Sequence, residues 1–177
     1  MATTQHKRGI TIYRAADAPN LEATDFMAAP TMSPEARAGL GQVAGAGIAS
    51  GGVVKVLARD ADGFSLVHVW FKANYPLPRH SHDADCMYYV ISGSAVMGNQ
   101  TLRPGDAFFV PADAPYQYNA GPDGVEVLEV RHGTERFDMK IPDAGAARWE
   151  AMAETVAANR DRWAAAPVSP TFAANAG

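Results

Sequence analysis

The chain has 177 residues, 47% of them hydrophobic and 19% charged, which is the length and balance of one globular domain with one core, not of a disordered or fibrous chain. Fifteen Lys and Arg against nineteen Asp and Glu leave a net charge of −4, so no basic field gathers nucleic acid or acidic lipid, and neither is expected as a partner. No apolar run reaches the length of about 18 residues needed to span a membrane and no apolar stretch follows the polar start, while the one cysteine, Cys86, cannot close an internal disulfide; a cytoplasmic protein is expected.

Residues 1–8 are polar and expected to be loose. Residues 9–14 alternate, which predicts a peripheral strand. Ser33-Pro34-Glu35 combines an N-cap, an N1 proline and an early acid, the start of a short helix whose following glycines argue against length. From Val53 to about Arg131 the chain breaks into short alternating runs at 53–57, 64–71, 86–91, 94–97, 107–110, 116–119 and 125–131. Turn residues at 60–63, Gly98-Asn99 and Pro104-Gly105 separate several of them, the pattern of an all-β sandwich or barrel. After Pro142 the period becomes helical: Trp149, Met152, Val156 and Trp163 predict an amphipathic helix over 144–164 behind an Asp143 cap. Its stripe is expected to dock on the outside of the barrel or on a second subunit, with a mobile tail beyond. One domain thus divides into an N-terminal extension (1–52), a β-barrel (53–140), and a C-terminal helix and tail (141–177).

His80-Ser81-His82 sets two imidazoles two residues apart, and in an extended chain that spacing points both to one face, where they can chelate one metal. Tyr88 shares the strand face of Cys86, and Tyr116 that of Tyr118; inside a barrel such rings suit an aromatic or carbonyl ligand, or simply pack the core. Glu129 and Arg131 alternate on the last strand, either as acid, base or carboxylate clamp in a pocket or on a solvated face. Asp83 and Asp85 offer oxygen donors, although the alternation that turns Cys86 inward turns Asp85 outward. His68 and His132 are lone histidines of the kind that are usually structural, and His6 belongs to the tail.

The spacing Asn74-x5-His80-x-His82-x3-Cys86-x6-Gly93 resembles the first cupin motif, in which Gly-x5-His-x-His, a spacer, Glu and Gly recur. Tyr89-Val90-Ile91-Ser92-Gly93 is similar to the strand and turn that close it. Gly105-x5-Pro111-x-Asp113-x2-Tyr116-x3-Ala120 is similar to the second, Gly-x5-Pro-x-Gly-x2-His-x3-Asn. The resemblance spans about residues 53–131 and implies an antiparallel jelly-roll β-barrel with one divalent metal in its mouth, Fe2+ ahead of Zn2+, Mn2+ or Ni2+. His80 and His82 would be ligands. Cys86 and Tyr116 stand where the family has its glutamate and last histidine; a thiolate is a competent ligand, and a phenol can ligate or hydrogen-bond.

The resemblance further implies a small-molecule enzyme, with an iron-dependent dioxygenase foremost among dioxygenases, lyases, isomerases and decarboxylases. Tyr116 would then be catalytic, and Tyr88, Tyr118, Glu129 and Arg131 would contact substrate. Two alternatives stand beside it: a non-catalytic small-molecule-binding or sensor module, and a metal-free isomerase or epimerase using Tyr116 and a histidine as acid and base. Open sheet edges and the Trp149–Trp163 stripe predict a homodimer.

Overall fold

The computed structural model describes residues 9–60, 62–166, 169 and 171. In chain order the regular elements are β1 (Thr31–Met32), α1 (Pro34–Ala46), β2 (Gly52–Ala58), β3 (Phe64–Phe71), β4 (Cys86–Met97), β5 (Gln100–Leu102), β6 (Ala107–Val110), β7 (Asn119–His132), β8 (Lys140–Ile141) and α2 (Ala146–Ala164). Six strands form one antiparallel sheet in the order β2-β3-β7-β4-β5, with β6 also on β4. Alternate residues of these strands, among them Val56, Val67, Val69, Tyr88, Val90, Val110, Val125 and Val127, meet in a single buried cluster. The fold is an all-β one of the jelly-roll type, with two helices packed beside it.

Left-handed backbone marks the motifs. Asn74 (φ 60°), Gly93 (φ 69°), Gly105 (φ 98°) and Asp113 (φ 61°) occupy the four glycine positions of the two motif spacings. The left-handed region excludes most side chains but tolerates Asn and Asp, so the two substituted positions keep the turn. At Gly93 a Cβ would lie 2.1 Å from the Gly124 carbonyl oxygen, so that position admits no side chain.

Several expectations change. Residues 9–14 form no strand; Ile10 and Ile12 are exposed, because alternation without a partner strand has no ladder to join. The runs at 86–91 and 94–97 are one strand, β4, whose pairing with β7 shifts register on both sides of the Gly93 turn. Residues 116–118 lie outside any strand; Tyr116 pairs only through an isolated bridge to His80. Helix α1 runs thirteen residues, longer than its glycines suggest, because Gly39 is where Trp149 of α2 packs: a Cβ there would lie 2.2 Å from the indole. Close packing offsets the glycine penalty.

Helix α2 starts after Gly145, and Asp143 accepts from both the Gly145 N–H (3.2 Å) and the Trp149 indole N–H (3.0 Å). Its Trp149, Met152, Val156 and Trp163 stripe is buried against α1 and its surroundings, so the stripe needs no second subunit to cover it. Trp163 donates to the Ala73 carbonyl (2.8 Å) and accepts at its own carbonyl from Lys72 Nζ (2.6 Å), tying α2 to the end of β3. Of the expected mobile tail, Ala165 and Ala166 bond back to the last turn of α2, Ser169 is buried and Thr171 bonds Glu126; the other tail residues, like residues 1–8, lie outside the described residues. No helix among the described residues is long and apolar enough to cross a membrane.

Two segments far apart in sequence close over one end of the sheet. Met27 bridges Phe137 in parallel, and β1 pairs with β8, Thr31 opposite Lys140. Lys140 in turn exchanges backbone hydrogen bonds with Ser81 (2.9 and 3.0 Å), and Tyr116 does the same with His80 (2.9 and 3.1 Å). The His80-Ser81-His82 segment is therefore held extended from both sides.

Candidate functional site

Beneath that cover lies a cavity of about 260 Å³. One end is polar, formed by His80, His82, Tyr116, Tyr118 and Glu129; the rest of the wall is apolar, with Leu21, Met27, Leu40, Phe71, Phe137 and Ile141 among its residues. The period of two in the extended segment turns both imidazoles inward while Ser81 faces β8, and the ring centroids stand 4.9 Å apart.

Each ring has its tautomer fixed by a backbone carbonyl. His80 Nδ1–H donates to the Pro78 oxygen at 2.8 Å and His82 Nδ1–H to the Asp138 oxygen at 2.6 Å, which leaves both Nε2 atoms as lone-pair acceptors. Asp138 is placed by a reciprocal pair with Asp83, whose carboxylate accepts from the Asp138 N–H at 2.7 Å while Asp83 N–H donates back at 3.2 Å. Burial pushes the His80 pKa down to about 4, with the neighbouring His82 adding to the fall. Burial also lowers His82, against the pull of the Asp138 carbonyl. Both rings are neutral at neutral pH, the form that ligates a metal.

Tyr116 links the imidazoles to the tyrosines. Its hydroxyl donates to His80 Nε2 at 2.9 Å, and since that uses its one proton, the Tyr88 hydroxyl is the donor in the Tyr88–Tyr116 hydrogen bond. Burial raises the pKa of Tyr88, Tyr116 and Tyr118, and the Glu129 charge raises each further. Tyr88 is fully buried, stacked on Phe108 at 4.5 Å.

Glu129 lines the cavity with a side chain 13% exposed, and Arg131 behind it is buried, donating from Nη2 to Glu129 Oε2 at 2.8 Å. Burial works against the Arg131 charge, but the Glu129 carboxylate prevails and holds its pKa above the usual value. The guanidinium lies 4.1 Å over the Phe137 ring, and its Nε and Nη1 have no hydrogen-bond partner among the described residues.

Cys86 packs in the core cluster, not on the cavity wall, and burial pushes its thiol up to about 12, with the Glu129 charge in support. Asp85 faces away and accepts from the Ala112 N–H at 2.7 Å. His68 is on the other face of the sheet, 3.4 Å from Glu126, which also accepts from Ser92 and Thr171. His132 sits at an exposed edge against Phe64. The apolar wall from residues 21–48 and 137–141, and the Asp138 acceptor, had no signature in the local pattern. Their parallel pairing joins segments too distant for periodicity to connect.

The donor set suits one borderline divalent ion in part. Both imidazoles line one cavity with centroids 4.9 Å apart, and each has its Nδ1–H tied to a carbonyl, as ligating imidazoles do, although the Nε2 of His80 accepts from Tyr116. Among the described residues no third His, Cys, Asp or Glu completes a cluster with them, so an ion bound there would have to take its further ligands from the Tyr116 hydroxyl, water or substrate.

No family model and no curated protein matches the chain. Among solved structures it is similar to KdgF from Halomonas sp. (25% identity over 47% of this chain and 81% of that one, TM-score 0.43). It is also similar to the polyketide cyclase RemF from Streptomyces resistomycificus (26%, 47% and 66%, TM-score 0.42). A third likeness is to an RmlC-like cupin from Shewanella frigidimarina (24%, 48% and 78%, TM-score 0.42). Each of these three likenesses covers about half of the chain.

Proposed function

We propose that the chain is a metal-dependent enzyme acting on a small organic molecule, with one divalent ion on His80 and His82 and Tyr116 beside it. The observation that carries this reading is the pair of fixed tautomers: both Nδ1–H groups are spent on backbone carbonyls, at 2.8 and 2.6 Å, so each Nε2 carries a lone pair, and an ion on that of His80 would replace the Tyr116 hydroxyl now bonded there. A divalent cation held there would polarise an oxygen of the bound molecule or, as Fe2+, supply electrons to dioxygen, and dioxygenase chemistry is the first to test. The apolar wall excludes water around the reacting molecule. A volume near 260 Å³ equals about nine water molecules at roughly 30 Å³ each, room for one ring or a short chain. With the ion on His80 Nε2, the Tyr116 hydroxyl would be released from that nitrogen and, backed by Tyr88, stand beside the ion as a proton donor, while Glu129 faces the same space as a base or an anchor.

That direct Tyr116–His80 hydrogen bond of 2.9 Å also favours a second reading, a metal-free isomerase or epimerase in which the two act as acid and base. The protein is further proposed to be a homodimer. Its interface is the outward face of the sheet where Met87 opposes Phe109 in register and Tyr89 follows, all three exposed.

Elemental analysis of freshly purified protein tests the metal. Near-stoichiometric divalent metal in the wild type, lost in the His80→Ala/His82→Ala double variant, is expected. Full occupancy in the double variant refutes the assignment, and turnover surviving complete chelation moves the reading to the metal-free enzyme.

A further inference from the structure

A second concavity shares a wall with the first. It is an open groove of about 530 Å³ whose lining includes Arg79, Met97, Tyr116, Gln117, Asn119 and Arg148. Two guanidiniums and no carboxylate line it, in a chain whose net charge is −4. The groove is therefore cationic against an acidic background, and a concave charged wall concentrates ligands of the opposite sign.

The two arginines come from different elements and reach the groove for different reasons. Arg79 directly precedes His80, so the alternation that turns the imidazole inward turns Arg79 out; it is exposed and has no ion-pair or hydrogen-bond partner among the described residues. Arg148 stands in the first turn of α2, at the positive end of that helix, and is oriented by its Nη2–H donating to Gln117 Oε1 at 3.0 Å. That bond uses one of five N–H donors and leaves the rest of a planar fork free for a carboxylate. Tyr116 lines both spaces, and its hydroxyl is already on His80.

We infer that this groove is the anion subsite of the same active site, and that the substrate is a small organic acid. Its carboxylate rests between Arg79 and Arg148 while its apolar body passes Tyr116 into the inner cavity. This deepens the reading of the His80–His82 site and rests on it for the location of the chemistry, but not for the charge preference, which belongs to the groove.

The test is calorimetric titration of the full chain with 3-phenylpropanoate and with its neutral amide, in the wild type and in Arg79→Gln, Arg148→Gln and the double variant. Side-chain NMR of His80 and His82 follows the same titrations. The acid is expected to bind at least tenfold more tightly than the amide, as charge-assisted bonds to a guanidinium require. That preference should disappear in the double variant, whose circular dichroism and metal content stay as in the wild type, and the acid should shift both imidazole resonances. Equal affinity for acid and amide, or a preference that survives the double substitution, overturns the proposal. So do unmoved histidine resonances, or inorganic phosphate binding more tightly than the organic acid. Repeating the titration on chelator-treated protein separates this from the metal assignment. A wild type without metal that keeps the arginine-dependent preference retains the anion subsite and loses only the metal.

Discussion

The Tyr88–Tyr116–His80 chain makes a quantitative prediction. The Tyr116 hydroxyl serves two hydrogen bonds, as donor to His80 Nε2 and as acceptor from Tyr88. A net buried hydrogen bond contributes about 1 kcal/mol, so Tyr116→Phe in the metal-free protein should cost about 2 kcal/mol and Tyr88→Phe about 1 kcal/mol. The bond between the two tyrosines is lost in either variant, so the double variant should also cost about 2 kcal/mol, roughly 1 kcal/mol less than the singles added. Urea unfolding of the four proteins measures this, provided the midpoint moves at constant m. Additivity to within about 0.4 kcal/mol would mean that the two hydroxyls are not coupled, and would refute the chain as drawn.

Acid should destabilise the metal-free fold through His80. The unfolded chain binds a proton there below 6.5, the folded one only below about 4, so stability is present above 6.5 and about 3 kcal/mol of it is lost as pH falls through that window. His80→Gln should flatten that part of the stability curve, and parallel curves would disprove it. Arg131→Ala leaves the Glu129 carboxylate in the cavity wall without its cation and should cost about 3–5 kcal/mol, much of it recovered by combining Arg131→Met with Glu129→Gln; no recovery in the same urea assay would argue against the pair. Light scattering should give a dimer for the wild type and a monomer for Tyr89→Lys; a wild-type monomer at all dilutions removes the proposed interface.

Local physics explains what the sequence made legible. Strands β3 and β6 begin and end where alternation does, at Phe64–Phe71 and Ala107–Val110, because a half-buried strand writes its own period. Residues 9–14 carry the same period and form no strand, since pairing is a property of two segments. Parity set His80 and His82 on one face and made Tyr116, Tyr118 and Glu129 candidates, but that all five line one cavity depends on tertiary pairing such as the isolated His80–Tyr116 bridge, which neither parity nor spacing states. Cys86 was placed on the inward face correctly, but parity does not distinguish a cavity wall from the packed core behind it. The length of α1 depended on Trp149 meeting Gly39, a contact between helices more than a hundred positions apart. The groove at Arg79 and Arg148 is equally non-local.

The cover formed by residues 26–32 on 137–141 divides labour within the chain. The imidazoles belong to the β-sheet region, whereas much of the wall that a ligand's body meets is carried by segments before and after it. Substitutions at Met27, Leu40 or Ile141 can therefore reshape what fits without displacing the donors. The separation is incomplete in one respect, because the carbonyl that orients His82 is that of Asp138, on the cover itself. A change that shifts residues 137–141 will retune the basicity and aim of His82 together with the shape of the pocket, so selectivity and reactivity in this protein should drift jointly along that one short segment.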